Sequence, residues 1–102
     1  MEKQVYDPFG CAIIISSHLN RDIYLPNSPG NFTPSSIIET PSMVFEATNG
    51  TGERFYLRMI EWEFRILIRV RRSGEQLVAD SYVINPSVEV LQNILKTCKQ
   101  TK

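Results

Sequence analysis

Between Met43 and Ile84 the chain repeats one pattern: an extended apolar run, then a turn. The runs are Met43 to Ala47, Arg54 to Ile60, Phe64 to Val70 and Gln76 to Ile84, rich in β-branched and aromatic residues. Asn49-Gly50-Thr51-Gly52 separates the first two, Glu61-Trp62 the next two, and Arg71-Arg72-Ser73-Gly74 the last two. Asn-Gly and Ser-Gly steps supply the backbone freedom that hairpins require. Connections this short force each strand to pair with its predecessor, so residues 41–84 are predicted to form a four-stranded antiparallel meander.

The flanks complete an α+β domain. Tyr6-Asp7-Pro8-Phe9-Gly10 reads as a turn, and Cys11 to Ile15 as a buried N-terminal strand. Ser16 or Ser17 is placed to cap a short helix reaching Tyr24, with Leu19 and Ile23 on one face. Residues 26–34 hold three prolines, a glycine and two asparagines, and are expected to be a flexible loop. Ser35 to Glu39 offers one helical turn before Thr40-Pro41. Asn85-Pro86 then reads as the cap and first residue of a helix over 86–99. Its residues Val88, Leu91, Leu95 and Cys98 form one stripe, widened by Ile94 and predicted to pack on the sheet.

At 102 residues the chain suits a single domain, residues 1–102. Its longest apolar run, Cys11 to Ile15, is far too short to span a membrane. The opening Met-Glu-Lys-Gln-Val-Tyr-Asp lacks the basic-then-apolar order of a signal peptide, so a cytoplasmic protein is expected. Cys11 and Cys98 have no metal-type or disulfide-type spacing and read as two buried, reduced thiols. No cofactor or metal is expected.

Formal net charge is zero, but the distribution is uneven. Residues 54–72 carry six arginines (54, 58, 65, 69, 71 and 72) against Glu61 and Glu63. Strand alternation puts Arg54, Tyr56 and Arg58 on one side of their strand. Taking Phe55, Leu57 and Met59 as core, together with Ile66, Ile68 and Val70, leaves Arg54, Arg58, Arg65, Arg69 and Arg71 around Tyr56 on the opposite face. Guanidinium groups bind phosphate oxygens in pairs of hydrogen bonds, and a tyrosine ring stacks bases. Such a face suits RNA. A sheet face meeting only water also needs long polar side chains, so the stripe alone does not choose.

The order of motifs resembles the barnase–EndoU–colicin–RelE superfamily of small ribonucleases, in its phage-associated branch. The matching pieces are Asp7-Pro8-Phe9-Gly10, then Ile37 through Pro41 to Glu46, Arg54-Phe55-Tyr56-Leu57-Arg58, Ile66 to Val70, and Val78-Ala79-Asp80-Ser81-Tyr82. The resemblance implies N-terminal helical segments ahead of a four-stranded antiparallel sheet, and RNA cleavage without metal. In that family the first helix carries a histidine near its end and another soon after. Here Arg21-Asp22-Ile23 stands in that stretch, the single histidine, His18, lies one turn earlier, and Asp80 replaces a threonine.

Cleavage of this kind needs a base, an acid and cations aimed at the phosphate. The candidates are Arg54 and Arg58 for the phosphate, His18, Glu46 or Asp80 as base, and Tyr56 or Tyr82 to orient or donate. Tyr56, Arg65, Arg69 and Arg71 would bind the RNA. Two readings stay open: a metal-independent endoribonuclease or RNA-binding domain, toxin-like or phage-related, and a non-catalytic inhibitor, immunity or accessory protein that binds another protein. A homodimer through an edge strand, Met43 to Ala47 or Gln76 to Ile84, is a third use of the fold.

Overall fold

The computed structural model describes residues 4–16, 19, 33–61 and 64–102. Among the described residues the sheet has seven strands rather than four. In chain order the elements are β1 (Gln4–Tyr6), β2 (Ala12–Ile15), α1 (Pro34–Glu39), β3 (Met43–Ala47), β4 (Arg54–Glu61), β5 (Phe64–Ser73), β6 (Gln76–Ile84), α2 (Val88–Thr97) and β7 (Cys98–Gln100). Across the sheet the order is β1-β2-β6-β5-β4-β3-β7. The predicted meander β3 to β6 is its centre. β2 extends it in parallel beside β6, and β7 closes antiparallel on β3.

The expected edge strands are therefore interior. β3 lies between β4 and β7, and β6 between β5 and β2, so neither offers a free edge for a dimer. The true edges, β1 and β7, are three residues long. Short edge strands give little template for pairing with another chain.

Each face of the sheet carries a helix, and this overturns the predicted assignment of faces. The loop pairs Glu61 with Phe64, an odd with an even position, as that assignment needed. A bulge between Met59 and Glu61 then shifts the register, so Tyr56 pairs with Ile68 and Leu57 with Leu67. One inserted residue reverses every side chain beyond it. Arg54, Tyr56 and Arg58 thus share a face with Ile66, Ile68 and Val70, the face covered by α1. Arg65, Leu67 and Arg69 share the other with Phe55 and Leu57, the face that α2 covers. Alternation along β5 adds Arg71 to that second side.

Two apolar clusters follow. On the α1 face, Ile37 and Ile38 pack over Val44, Tyr56, Ile66, Ile68, Val70 and Ala79, with Ile13 and Ile15 beyond. On the α2 face, Ile94 packs with Phe45, Leu57 and Leu67. A second bulge makes Asp80 the extra residue of β6: Arg69 pairs with Ser81 but Val70 with Ala79. It keeps Leu77 and Tyr82 against the same cluster, although they lie an odd number of residues apart.

The helix ends obey capping rules with one correction. Thr33 caps α1 through a reciprocal pair with Ser36, and Pro34 holds the first turn. For α2 the cap is Ser87, whose Oγ accepts from the Val90 N–H at 3.3 Å. Asn85, the predicted cap, instead has φ 50° and ends the β5–β6 ladder: its N–H donates to the Arg65 carbonyl and its Oδ1 accepts from the Arg65 N–H. Asparagine tolerates this left-handed backbone better than most residues. The helix stops at Thr97, where Cys98 enters β7, so the predicted range 86–99 overran at both ends. The predicted helix after Ser17 and most of the 26–34 loop lie outside the described residues. No helix among the described residues is long and apolar enough to cross a membrane.

Candidate functional site

Asp7 organises the first candidate site. The Asp7-Pro8-Phe9-Gly10 turn closes by the Gly10 N–H donating to the Asp7 carbonyl at 3.0 Å, with Gly10 at φ 83°. The Asp7 side chain turns back into its own loop, where Oδ1 accepts from the N–H groups of Phe9 (3.0 Å) and Cys11 (2.8 Å). This is the local bonding that makes aspartate a turn residue. Oδ2 points into the sheet. There it accepts from the Tyr56 hydroxyl at 2.6 Å and faces the Arg54 guanidinium at 3.4 Å. The same Arg54 Nη1 lies 3.2 Å from Cys11 Sγ.

The Asp7 side chain has no exposed surface, and Tyr56 is wholly buried. A carboxylate in that position needs several donors, and it has four. Burial raises the Tyr56 hydroxyl above the ordinary tyrosine range, and its hydrogen bond to Asp7 raises it further. Burial opposes the Arg54 charge, but the bonds to Cys11 and Tyr56 outweigh it and hold the guanidinium firmly protonated.

The Tyr56 shift has a pH consequence. A proton held more tightly in the folded chain stabilises it fully below the ordinary tyrosine pKa, and that stability is lost as pH rises beyond it. From about pH 10 upward the native protein should lose stability faster than Tyr56→Phe, by up to about 1.4 kcal/mol per pH unit. Denaturant titrations at stepped alkaline pH measure this. Parallel curves for the two proteins would show that Tyr56 does not hold its proton.

Arg54 borders a pocket of about 240 Å³, together with Phe9, Cys11, Glu46 and Thr101. Glu46 is the direct cross-strand neighbour of Arg54, and on its other side it pairs with Lys99 of β7. Among the described residues the Glu46 carboxylate has no hydrogen-bond or ion-pair partner. Phe9 is half exposed at the rim.

The remaining candidates do not converge here. Arg58 donates from Nη1 to the Thr40 carbonyl at 2.6 Å and so anchors the α1–β3 connection. Asp80 pairs with Arg71, and Arg69 Nε donates to Glu53 at 2.9 Å. Tyr82 is half-buried against the α1-face cluster. Arg65, Arg69 and Arg71 are across the sheet from Tyr56, so the single arginine–tyrosine face does not exist. His18 lies outside the described residues. Cys11 and Cys98 are free thiols and only partly buried, more exposed than the sequence suggested. Sequence reasoning missed Asp7: an aspartate before a proline-containing turn is a side-chain–backbone bonding signal, and here it has a second use.

The second candidate is on the α2 face. The helix makes its main contacts with β3 and β7 and lies beside a groove over β5 and β6. A groove of about 390 Å³ runs there, its floor and walls including Phe55, Leu67, Val83, Val90 and Ile94. Glu53 and Arg69 sit at its margin. Only part of the predicted stripe docks the helix, namely Ile94 with the partly buried Cys98. Ile94 is 5% exposed, whereas Val88 is 67% and Leu95 62% exposed.

No family model, no curated protein and no solved structure matches the chain.

Proposed function

We propose that this chain is a binding protein that uses its ribonuclease-like scaffold to dock another protein on the exposed side of α2. The observation that carries the reading is the Val88–Leu95 stripe. These residues are one face of the helix at a seven-residue step, and both stand in solvent while Ile94 alone is buried. Val83 and Met59 add exposed apolar surface on β6 and β4. Large apolar side chains left in solvent at a helical repeat are candidates for an interaction site. Arg54, Tyr56, Arg58, Arg69 and Arg71, most of what an RNA surface would need, are meanwhile engaged with Asp7, Thr40, Glu53 and Asp80.

The test is affinity capture from the native host with the wild-type chain and with Val88→Glu/Leu95→Glu. Both positions are exposed, so the variant should fold normally. The wild type should retain a partner that the variant loses. Recovery of the same proteins by both would remove α2 as the docking surface.

A second reading, RNA held or cut without metal at Arg54, has one observation in its favour. Glu46, a carboxylate with no partner among the described residues, stands beside a fixed guanidinium in a pocket with an exposed ring. A base and a phosphate-binding cation are two of the three groups such chemistry requires, the third being an acid for the leaving oxygen. Incubation of the protein with mixed RNA in EDTA tests it. Cleavage by the native chain that Glu46→Gln abolishes would put this reading first; intact RNA in both reactions would leave the docking reading in place.

A further inference from the structure

We infer that the pocket beside Arg54 binds a free α-amino acid, with its ammonium on Glu46 and its carboxylate on Arg54. The inference is independent of the α2 surface and gives this pocket a ligand other than RNA. Its basis is two opposite charges that face one cavity without joining. Glu46 and Arg54 are direct partners across β3 and β4, and both line the pocket. Opposite charges at such positions ordinarily pair. Here they do not, because Arg54 Nη1 is turned to Asp7 and Cys11. Lys99, on the other side of Glu46, is exposed and forms no ion pair with it among the described residues.

The cavity is held open by its walls. Phe9 and Cys11 of the N-terminal turn form one side, and Thr101 stands on the other with Glu46. Asp7 accepts from the Cys11 N–H and faces Arg54, so it fixes the turn and the guanidinium together. Thr101 is tied to the Val44 carbonyl by its N–H at 2.8 Å and its hydroxyl at 3.3 Å. Only Nη1 of Arg54 is spent on Asp7 and Cys11, so donors remain for a ligand carboxylate. A simple anion would meet repulsion from Glu46, and a simple amine would leave Arg54 unused. An α-amino acid answers both charges from one carbon. The volume, about 240 Å³, suits a molecule of metabolite size, and the half-exposed Phe9 ring offers its side chain an apolar contact.

Calorimetric titration with each common L-amino acid, up to about 10 mM, tests the inference. At least one should bind, with Kd about 0.1–1 mM, and should slow alkylation of Cys11 by iodoacetamide, followed at that residue by mass spectrometry. The amide of the same amino acid lacks the carboxylate, and its N-acetyl form lacks the ammonium. Each should bind at least about tenfold more weakly. Glu46→Gln should lower affinity for the free amino acid by about the same factor, with an unchanged melting temperature, because its carboxylate has no partner to lose. Absence of binding by every amino acid overturns the inference, as does binding that leaves Cys11 alkylation unaltered or is indifferent to Glu46→Gln. Equal binding of the N-acetyl form also overturns it and makes the pocket a plain anion site, as the RNA reading requires.

Discussion

Asp7→Ala should cost the fold about 3–5 kcal/mol, a large share of the stability of a domain this size. The reason is what the carboxylate leaves behind. The Tyr56 hydroxyl, with no exposure, loses its acceptor, and the Arg54 guanidinium loses its buried countercharge. The turn also loses the acceptor for the Phe9 and Cys11 N–H groups. Breaking a buried pair from one side strands the other charge, which costs more than the pair contributes. Asp7→Asn keeps an oxygen in the turn and should fall between alanine and the native residue. Urea unfolding at neutral pH gives the comparison. A loss under about 1 kcal/mol for Asp7→Ala would mean that Tyr56 and Arg54 find other partners without rearranging the sheet.

The second large effect is expected at Leu67. A sheet with one wet face would leave this residue among arginines in solvent, and Leu67→Ala would then be nearly neutral. In the structure Leu67 is 3% exposed, between Leu57 and Ile94 on the α2 face. Its truncation should cost about 2–4 kcal/mol, close to that of Ile68→Ala on the opposite side of the same strand. Matching losses at consecutive residues of one strand are the signature of a sheet buried on both faces. A small loss at Leu67 beside a large one at Ile68 would show that α2 does not cover that part of the sheet.

The places where the sequence was readable are those where local chemistry decides. Met43–Ala47 and Gln76–Ile84 were bounded correctly, because turn residues and β-branched runs act over a few positions. The faces were not readable. Positions 54–60 offer two alternating sets, Phe55, Leu57 and Met59 or Tyr56 with its arginines, and apolar content favours the first. The bulge near Ile60 places Tyr56 in the core as well, and a single inserted residue has no signature in composition. Arg54 and Arg58 are accommodated on the α1 face by bonds to Asp7 and the Thr40 carbonyl, and those partners come from other parts of the chain. The strands β1 and β7 were missed for a related reason: three residues carry too little periodicity to register. The site inherits these limits. Arg54 was identified, but its partners Asp7 and Cys11 are joined to it only by the fold.

The parallel pairing of β2 with β6 also sets a timetable for biosynthesis. Ile13 finds its neighbour Leu77 only after residues 14–76 have been made, and Glu46 meets Lys99 only after residues 47–98 have followed it. The hairpins from β3 to β6 can assemble as they appear, while the apolar segment Ala12–Ile15 must wait unpaired. Contacts so distant along the chain slow the final step and leave a sticky strand exposed meanwhile. A nascent chain stalled before β6 should therefore be the form most dependent on chaperones.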